Sequence, residues 1–538
     1  MPEKGPVFVR EATGLVREIG FLEQLTLNGT ALPLISVAIT PWFVWVALGG
    51  AGDPILATLM GFIFTIFTIL CYAMTTATFP RSGAPYVTQS RVLHPAIGWP
   101  SEVLQWFGTL VISLGLMPSL VLFFGLAPGL YAMGVSSGNQ TLINAAWALI
   151  DPTWSAVVGT IMLVALAVIT IRGTRFVTRW FNLPIVGLMY VGVIAIIAIL
   201  ARATPEQFMS LTSKYLNQDY NTIISTAKES FPSMMVPISF AALPLLVSIG
   251  FSAGAVNTYW NAWAAGEVKR AGAVRMQVIS MLVPSIIATL ISVVTLTLAY
   301  NVAGREFLVA LTQLMTFNSG FFKAPFFTAL AAVTFIPLML ADNPYLQLLL
   351  TIAYTATVLA YVPYTILLST RDLFAWSFDR LIPSKFAEVN ERTHTPVFNI
   401  VFTFAVGWVT LMVFTYLSSY VLFFFAIGWD TTLVEISLVC VAAMLLPLRK
   451  VLWDGSPAKK YMIGAIPVIV IAGIIGTFYN ALSVWIYSTT PAMGFGLPSV
   501  LLTVVIFVLP FILYWIVRAI RRRQGIDLDL IFRQVPPE

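Results

Sequence analysis

Twelve long apolar runs, parted by short charged loops, set the limits on what this chain can fold into. They cover approximately residues 27–48, 55–79, 99–131, 154–171, 177–200, 232–265, 276–303, 344–370, 397–416, 420–446, 462–487 and 497–520. A helix needs about 20 such residues to cross the hydrocarbon of a bilayer. Only 10% of the chain is charged, where a soluble domain carries about 25%. A soluble multidomain protein lacks its polar skin at that level, and 59% hydrophobic content excludes disorder. The expected class is an all-α polytopic membrane protein with 12 transmembrane helices, with the lipid bilayer as a partner. A further apolar run at 325–340 contains Pro337 and lies between Lys323 and Asp342; it reads as an extracellular loop helix.

The charges give orientation. With the N-terminus inside, 24 of the 29 Lys and Arg fall in inner segments, as the positive-inside bias requires. Twelve crossings then put both termini in the cytoplasm of a cell-membrane protein. The net charge of +6 is dispersed over short loops, so no nucleic-acid face is expected. Cys71 and Cys440 lie in apolar runs, and His94 and His394 lie in loops. No disulfide framework, metal spacing or cofactor motif follows. Residues 1–24 carry seven charges and do not form a signal peptide.

Two runs are irregular. The first contains Ser36, Val37, Ala38, Ile39, Thr40 and then Pro41, which removes a backbone donor. The sixth is 34 residues long, and its middle holds Gly250, Phe251, Ser252, Ala253, Gly254 and Asn257. Broken helices are tolerated in hydrocarbon where they line a cavity, and a pair of them in corresponding positions of two halves marks a binding site. Small residues that pack neighbouring helices closely are the plainer reading. Phe251 is a gate candidate or a packing residue.

Four stretches carry a family resemblance. Phe79-Pro80-Arg81-Ser82-Gly83-Ala84-Pro85-Tyr86 leads into Arg91-Val92-Leu93-His94-Pro95 and Gly98-Trp99. Ile171-Arg172-Gly173-Thr174-Arg175 precedes Asn182, and Gly266-Glu267-Val268-Lys269-Arg270 follows the sixth run. The longest is Ser369-Thr370-Arg371-Asp372-Leu373-Phe374-Ala375, continued by Asp379-Arg380-Leu381-Ile382-Pro383 and Phe386-Ala387-Glu388-Val389-Asn390. In this order and spacing they resemble the amino acid–polyamine–organocation (APC) superfamily of permeases, over about residues 79–400, with 428–449 similar to its tenth span. The resemblance implies the APC/LeuT-like fold: two inverted five-helix repeats, at 27–201 and 232–446, plus two C-terminal helices within 460–520. An N-terminal segment (1–26), an extracellular loop (202–231) and a cytoplasmic tail (521–538) complete the chain. It also implies a small-molecule substrate, an amino acid or related amine, held at the breaks of helices 1 and 6.

The chain departs from the family pattern at several points. Val37 and Ile39 stand where glycines are common. Leu188 stands where proton-linked members carry a lysine, and Ala360 and Tyr361 where sodium-linked ones carry Ser or Thr. The coupling ion, H+ or Na+, is therefore left open.

Asp430 and Glu435 lie deep in the tenth run. A carboxylate there costs at least about 2.5–3.5 kcal/mol on insertion scales, and five residues turn about 140° around a helix. Each is a proton-coupling candidate or a structural hydrogen-bond partner. Glu102 reads as an interfacial residue at the start of the third span. Arg371 and Asp372 read as an inner-gate or packing pair. Enzyme motifs are missing: there is no His-x4-Asp, no His-Glu-x-x-His and no Cys/His pair. The functional expectation is a secondary transporter. The alternatives are a permease-like sensor, against which the short tails argue, or a transporter of a polyamine or nucleobase.

Overall fold

Long helices in this chain begin where an Asx side chain meets a proline. Asp53 accepts from the backbone N–H groups of Ile55 and Leu56 while Pro54 takes the first helical position. Asn343 does the same for Tyr345 and Leu346 ahead of Pro344, and Asp151 for Thr153 ahead of Pro152. The proline gives up a donor that a helix start cannot use, and the side chain satisfies others. The computed structural model describes residues 15–30, 52–232, 258–322, 324–325, 329–417, 421–489 and 496–535.

A short helix α1 (Phe21–Thr30) comes first, then α2 (Pro54–Thr78), α3 (Ala84–Val92), α4 (Pro95–Ser137), α5 (Pro152–Ile171) and α6 (Phe176–Arg202). After them come α7 (Val274–Ala303), α8 (Pro344–Phe378), α9 (Val397–Tyr416), α10 (Val421–Leu445), α11 (Val468–Ser488), α12 (Leu497–Arg523) and the tail helix α13 (Leu528–Phe532). Among the described residues, ten of these helices, α2 and α4–α12, are long and apolar enough to cross a bilayer. The chain is thus an all-α multi-pass membrane protein in its described part. These ten correspond to the second to fifth and seventh to twelfth apolar runs. The other two runs, 27–48 and 232–265, fall mostly outside the described residues.

The boundaries moved in places. The chain at 462–467 is a two-stranded hairpin, Met462–Ile463 against Ile466–Pro467, turning at Gly464 with φ 60°, so α11 starts six residues later than the apolar run. Thr258–Ala265, counted with the sixth run, and the two residues after it fold as turns and two single-turn 3-10 segments, Trp260–Ala262 and Ala265–Glu267. The loop at 202–231 contains two helices, Pro205–Leu216 and Tyr220–Ser230. These pack with Arg305–Phe317 and Ala329–Ala341 at one end of the bundle. There Lys214 pairs with Asp342 at 2.6 Å, and Tyr215 donates to the same carboxylate. Burial and that carboxylate push the Tyr215 phenol above its usual range.

The core is built on α4 and α8. The apolar stretch of α4 is 93% buried and that of α8 61%, against 17% for α12, which leaves α12 at the rim. Helix α4 packs against α8, α9, α10 and α12. Close approach depends on small residues, as expected where lipid supplies no hydrophobic drive between helices. A side chain on Gly129 of α4 would collide with Thr351 of α8. Replacing Gly129 by Leu is expected to separate these two helices and lower the thermal unfolding midpoint of the detergent-solubilised protein. The same change at Gly187, which has open space around it, should leave the midpoint in place.

The start of α4 carries a pH dependence. His94 caps it, Nδ1 accepting from the Ala96 N–H at 3.1 Å, with its ring against Tyr514 and Trp515 of α12. Burial first, then the charge of Arg518, holds its pKa below the ordinary imidazole value. The unfolded chain therefore takes the proton first. The cap's contribution is complete above about pH 6.5 and is lost as pH falls from there through the lowered folded value. His94→Asn keeps a capping acceptor without the titration. The variant should show a smaller loss of thermal stability than the parent on acidification below about pH 6.5.

Candidate functional site

The residues expected to hold substrate, Ser36, Val37, Ala38, Ile39, Thr40, Gly250, Phe251, Ser252, Ala253, Gly254 and Asn257, lie outside the described residues. Their flanks are described, and these are tied together. Before α1, the Ile19 N–H donates to the Glu267 carbonyl at 2.9 Å, and the Lys269 N–H returns to the Ile19 carbonyl at 2.9 Å. A buried polar cluster follows. The Asn261 N–H donates to Asn28 Oδ1 at 3.0 Å, and its side-chain amide donates to Gln24 at 3.1 Å and Gln277 at 2.7 Å. Asn28 in turn donates to the Ser280 carbonyl at 2.8 Å. Segment 258–268 is thereby fixed to α1 and α7. On its other side, the Gly83 N–H donates to the Trp263 carbonyl at 2.8 Å. Gly83 sits at φ 67°, a left-handed conformation that suits glycine, and a side chain there would press on Ala375 of α8.

Arg371 and Asp372 do not pair with each other. Arg371 is buried and forms a fork on Glu267, Nε to Oε1 at 2.7 Å and Nη2 to Oε2 at 2.9 Å. Thr174 completes this arrangement, donating to Glu267 at 2.6 Å and accepting from Arg371 at 2.8 Å. Adjacent residues on a helix diverge by about 100°, so Asp372 points elsewhere. It is buried, and its Oδ1 has no hydrogen-bond partner among the described residues.

Glu102, expected at a helix end, is buried inside the bundle. Helix α4 begins at Pro95, which puts Glu102 about two turns inside, fully buried, with Trp263 Nε1 donating to its Oε1 at 2.6 Å. Glu435 of α10 is buried nearby. It accepts from the Tyr72 hydroxyl at 2.8 Å and the Gln89 amide at 3.1 Å. Tyr72 stacks on Tyr259 with ring centroids 4.0 Å apart. Asp430 lies on another face of α10, buried, and neither of its oxygens has a hydrogen-bond partner among the described residues. The two acidic residues of the tenth run are thus separated, as their spacing implied.

A second buried ion pair lies at the same end as Arg371. Arg91 of α3 makes two bonds to Asp379, at 2.6 and 2.8 Å, and the Tyr86 hydroxyl donates to the same carboxylate at 2.9 Å. Phe532 of α13 covers the Arg91 guanidinium at 4.8 Å. Burial works against the Arg91 charge, but Asp379 outweighs it and holds the pKa above the usual arginine value. Burial and the same carboxylate hold the Tyr86 phenol up.

Tyr72, Gln89, Trp263 and Tyr259 were not singled out in the sequence. They are uncharged, and no spacing distinguishes them from packing residues. Glu102 carried the one usable signal, a carboxylate at the start of a long apolar run. The described residues contain no group of His, Cys, Asp and Glu able to hold a metal ion. Set against known proteins, the chain matches no family model and no curated sequence.

Removing one partner of a buried pair leaves an uncompensated charge, typically at a cost of about 3–5 kcal/mol. Arg371→Met is therefore expected to lower the thermal midpoint far more than Lys214→Met, whose pair with Asp342 is exposed. Melting of the two purified variants side by side checks this.

Proposed function

We propose that the protein is a secondary transporter that moves amino acids or related small amines across the cell membrane by alternating access. The observation that carries this reading is the convergence of α1 and segment 258–268. Each flanks one of the two interrupted apolar runs, and the two meet through the Ile19–Val268 bridge and the Gln24–Asn28–Asn261–Gln277 cluster, inside a set of ten apolar helices. Polar side chains at that depth are expensive, and they are retained where a substrate path needs them. The resemblance of the loop signatures to APC permeases supports the same reading, and so does the 24-of-29 bias of basic residues, with both termini cytoplasmic.

In this reading the substrate's polar ends are held by freed backbone groups near Ser36–Thr40 and Phe251–Asn257. The Arg371–Glu267–Thr174 cluster and the Ile19 bridge act as the cytoplasmic latch. They close the inner path when formed and part when the segment after the sixth run moves.

The test is uptake by the purified protein in liposomes, with labelled amino acids, amines and nucleobases offered in turn. Saturable counterflow of at least one amino acid or amine is expected. Failure of uptake, counterflow and binding for all of them would contradict the proposal.

A further inference from the structure

We propose that the loop joining α10 to α11, residues 446–467, is a lipid-binding element. It lies in the headgroup layer of the leaflet at that end of the bundle and holds anionic phospholipid there. That this leaflet is the cytoplasmic one rests on the orientation proposed above; that the loop meets lipid does not.

The loop is fixed to the bundle on one side. Arg449 donates through Nε to the Val92 carbonyl at 2.8 Å and through Nη2 to the Leu93 carbonyl at 3.0 Å. The hydroxyls of Ser456 and Thr78, the last residue of α2, are hydrogen-bonded at 2.7 Å. Ala458 is buried, and Leu452 and Trp453 pack against the core. The hairpin closes on this base, the Val468 N–H donating to the Tyr461 carbonyl at 3.0 Å. The ends of α2, α3, α10 and α11 thus set the level at which the loop sits.

Its other side is apolar and exposed. In the short helix Lys450–Asp454, Val451 is 90% exposed, and Leu448 just before it is 76% exposed. In the hairpin Ile463 pairs with Ile466 across the turn, and both are more than half exposed. Hydropathy counts Met462 and Ile463 with the eleventh span, yet the fold takes them out of the helix and leaves them at the surface. Side chains of this kind gathered on one face mark an interaction site. Between the ends of two bilayer-length helices, they lie level with the boundary of headgroups and acyl chains.

Charge selects the lipid. The loop carries Arg449, Lys450, Lys459 and Lys460 against one acidic residue, Asp454, which pairs with Lys459 at 2.6 Å. Lys450 and Lys460 are exposed and enter no ion pair among the described residues. They stand next to the apolar face, Lys450 adjoining Val451 and Lys460 two residues before Met462. A lysine stem lies along apolar surface while its ammonium reaches the phosphate layer. Excess positive charge above an apolar face matches an anionic headgroup above its acyl chains. A second copy of the chain fits less well, because a two-fold contact through this face would set the same basic residues against each other.

Fluorescence of the full-length protein in phospholipid vesicles tests the proposal. A fluorophore on Ile463→Cys reads the hairpin and one on Val451→Cys reads the helix, so either serves if the other disturbs folding. Cys71 and Cys440 are buried, which directs the label to the introduced thiol. Phospholipid brominated high on its acyl chains should quench the label, and aqueous iodide should not. Free quenching by iodide with none by lipid overturns the proposal. Each lysine near an anionic surface favours it by about fivefold. At equal mole fraction, brominated phosphatidylglycerol should therefore quench several-fold more than brominated phosphatidylcholine, and Lys450→Gln with Lys460→Gln should bring the two level. Equal quenching by both lipids in the parent overturns the selection of anionic headgroups. Disulfide cross-linking of the introduced cysteine between copies, with no lipid quenching, makes the occupant a second copy and overturns the proposal. Labelling of Ile463→Cys in intact cells by a membrane-impermeant maleimide contradicts the cytoplasmic orientation and leaves lipid binding standing.

Discussion

A charge held away from water must find its opposite, and the fork of Arg371 on Glu267 is where this structure meets that demand most directly. The pair joins α8 to the segment that leaves the sixth apolar run. Thr174 brings in the turn between α5 and α6. The Glu267 carbonyl, through Ile19, brings in the chain ahead of α1. Four distant parts of the sequence thus meet at Glu267. The two-toothed geometry matters: arginine matches both carboxylate oxygens at once, which lysine cannot do.

The buried charges divide into two kinds. Arg371–Glu267 and Arg91–Asp379 are matched one to one and carry extra hydroxyl donors, so they act as fixed joints. The Arg91 joint also anchors the tail, since Phe532 lies over the guanidinium and Arg518 pairs with Asp529 at 2.5 Å. Glu102, Asp372 and Glu435 are the opposite case: three buried acidic groups that form no ion pair among the described residues. Neutral donors serve two of them: Trp263 donates to Glu102, and Tyr72 and Gln89 donate to Glu435.

Much of the scaffold was legible in the sequence because bilayer-length apolar runs leave few alternatives. Ten helices fall where such runs lie, started by Asp53-Pro54, Asp151-Pro152 and Asn343-Pro344. Hydropathy misplaced the start of α11, since Met462 and Ile463 are apolar yet belong to a hairpin turned by Gly464. The separation of Asp430 from Glu435 followed from helical geometry. The same geometry argues against pairing Arg371 with Asp372, which being neighbours in sequence had suggested. What the sequence could not reveal is which distant residue each buried charge meets. Glu102 with Trp263, or Arg91 with Asp379 and Phe532, depends on tertiary packing with no local signature.

The most direct measurement of the Arg371–Glu267 joint is a double-mutant cycle on thermal unfolding, using Arg371→Met, Glu267→Gln and the two together. If the pair is the latch described, removing both partners destabilises much less than the sum of the single changes, because neither is left charged and alone. Additive losses, with no coupling between the two positions, would contradict it.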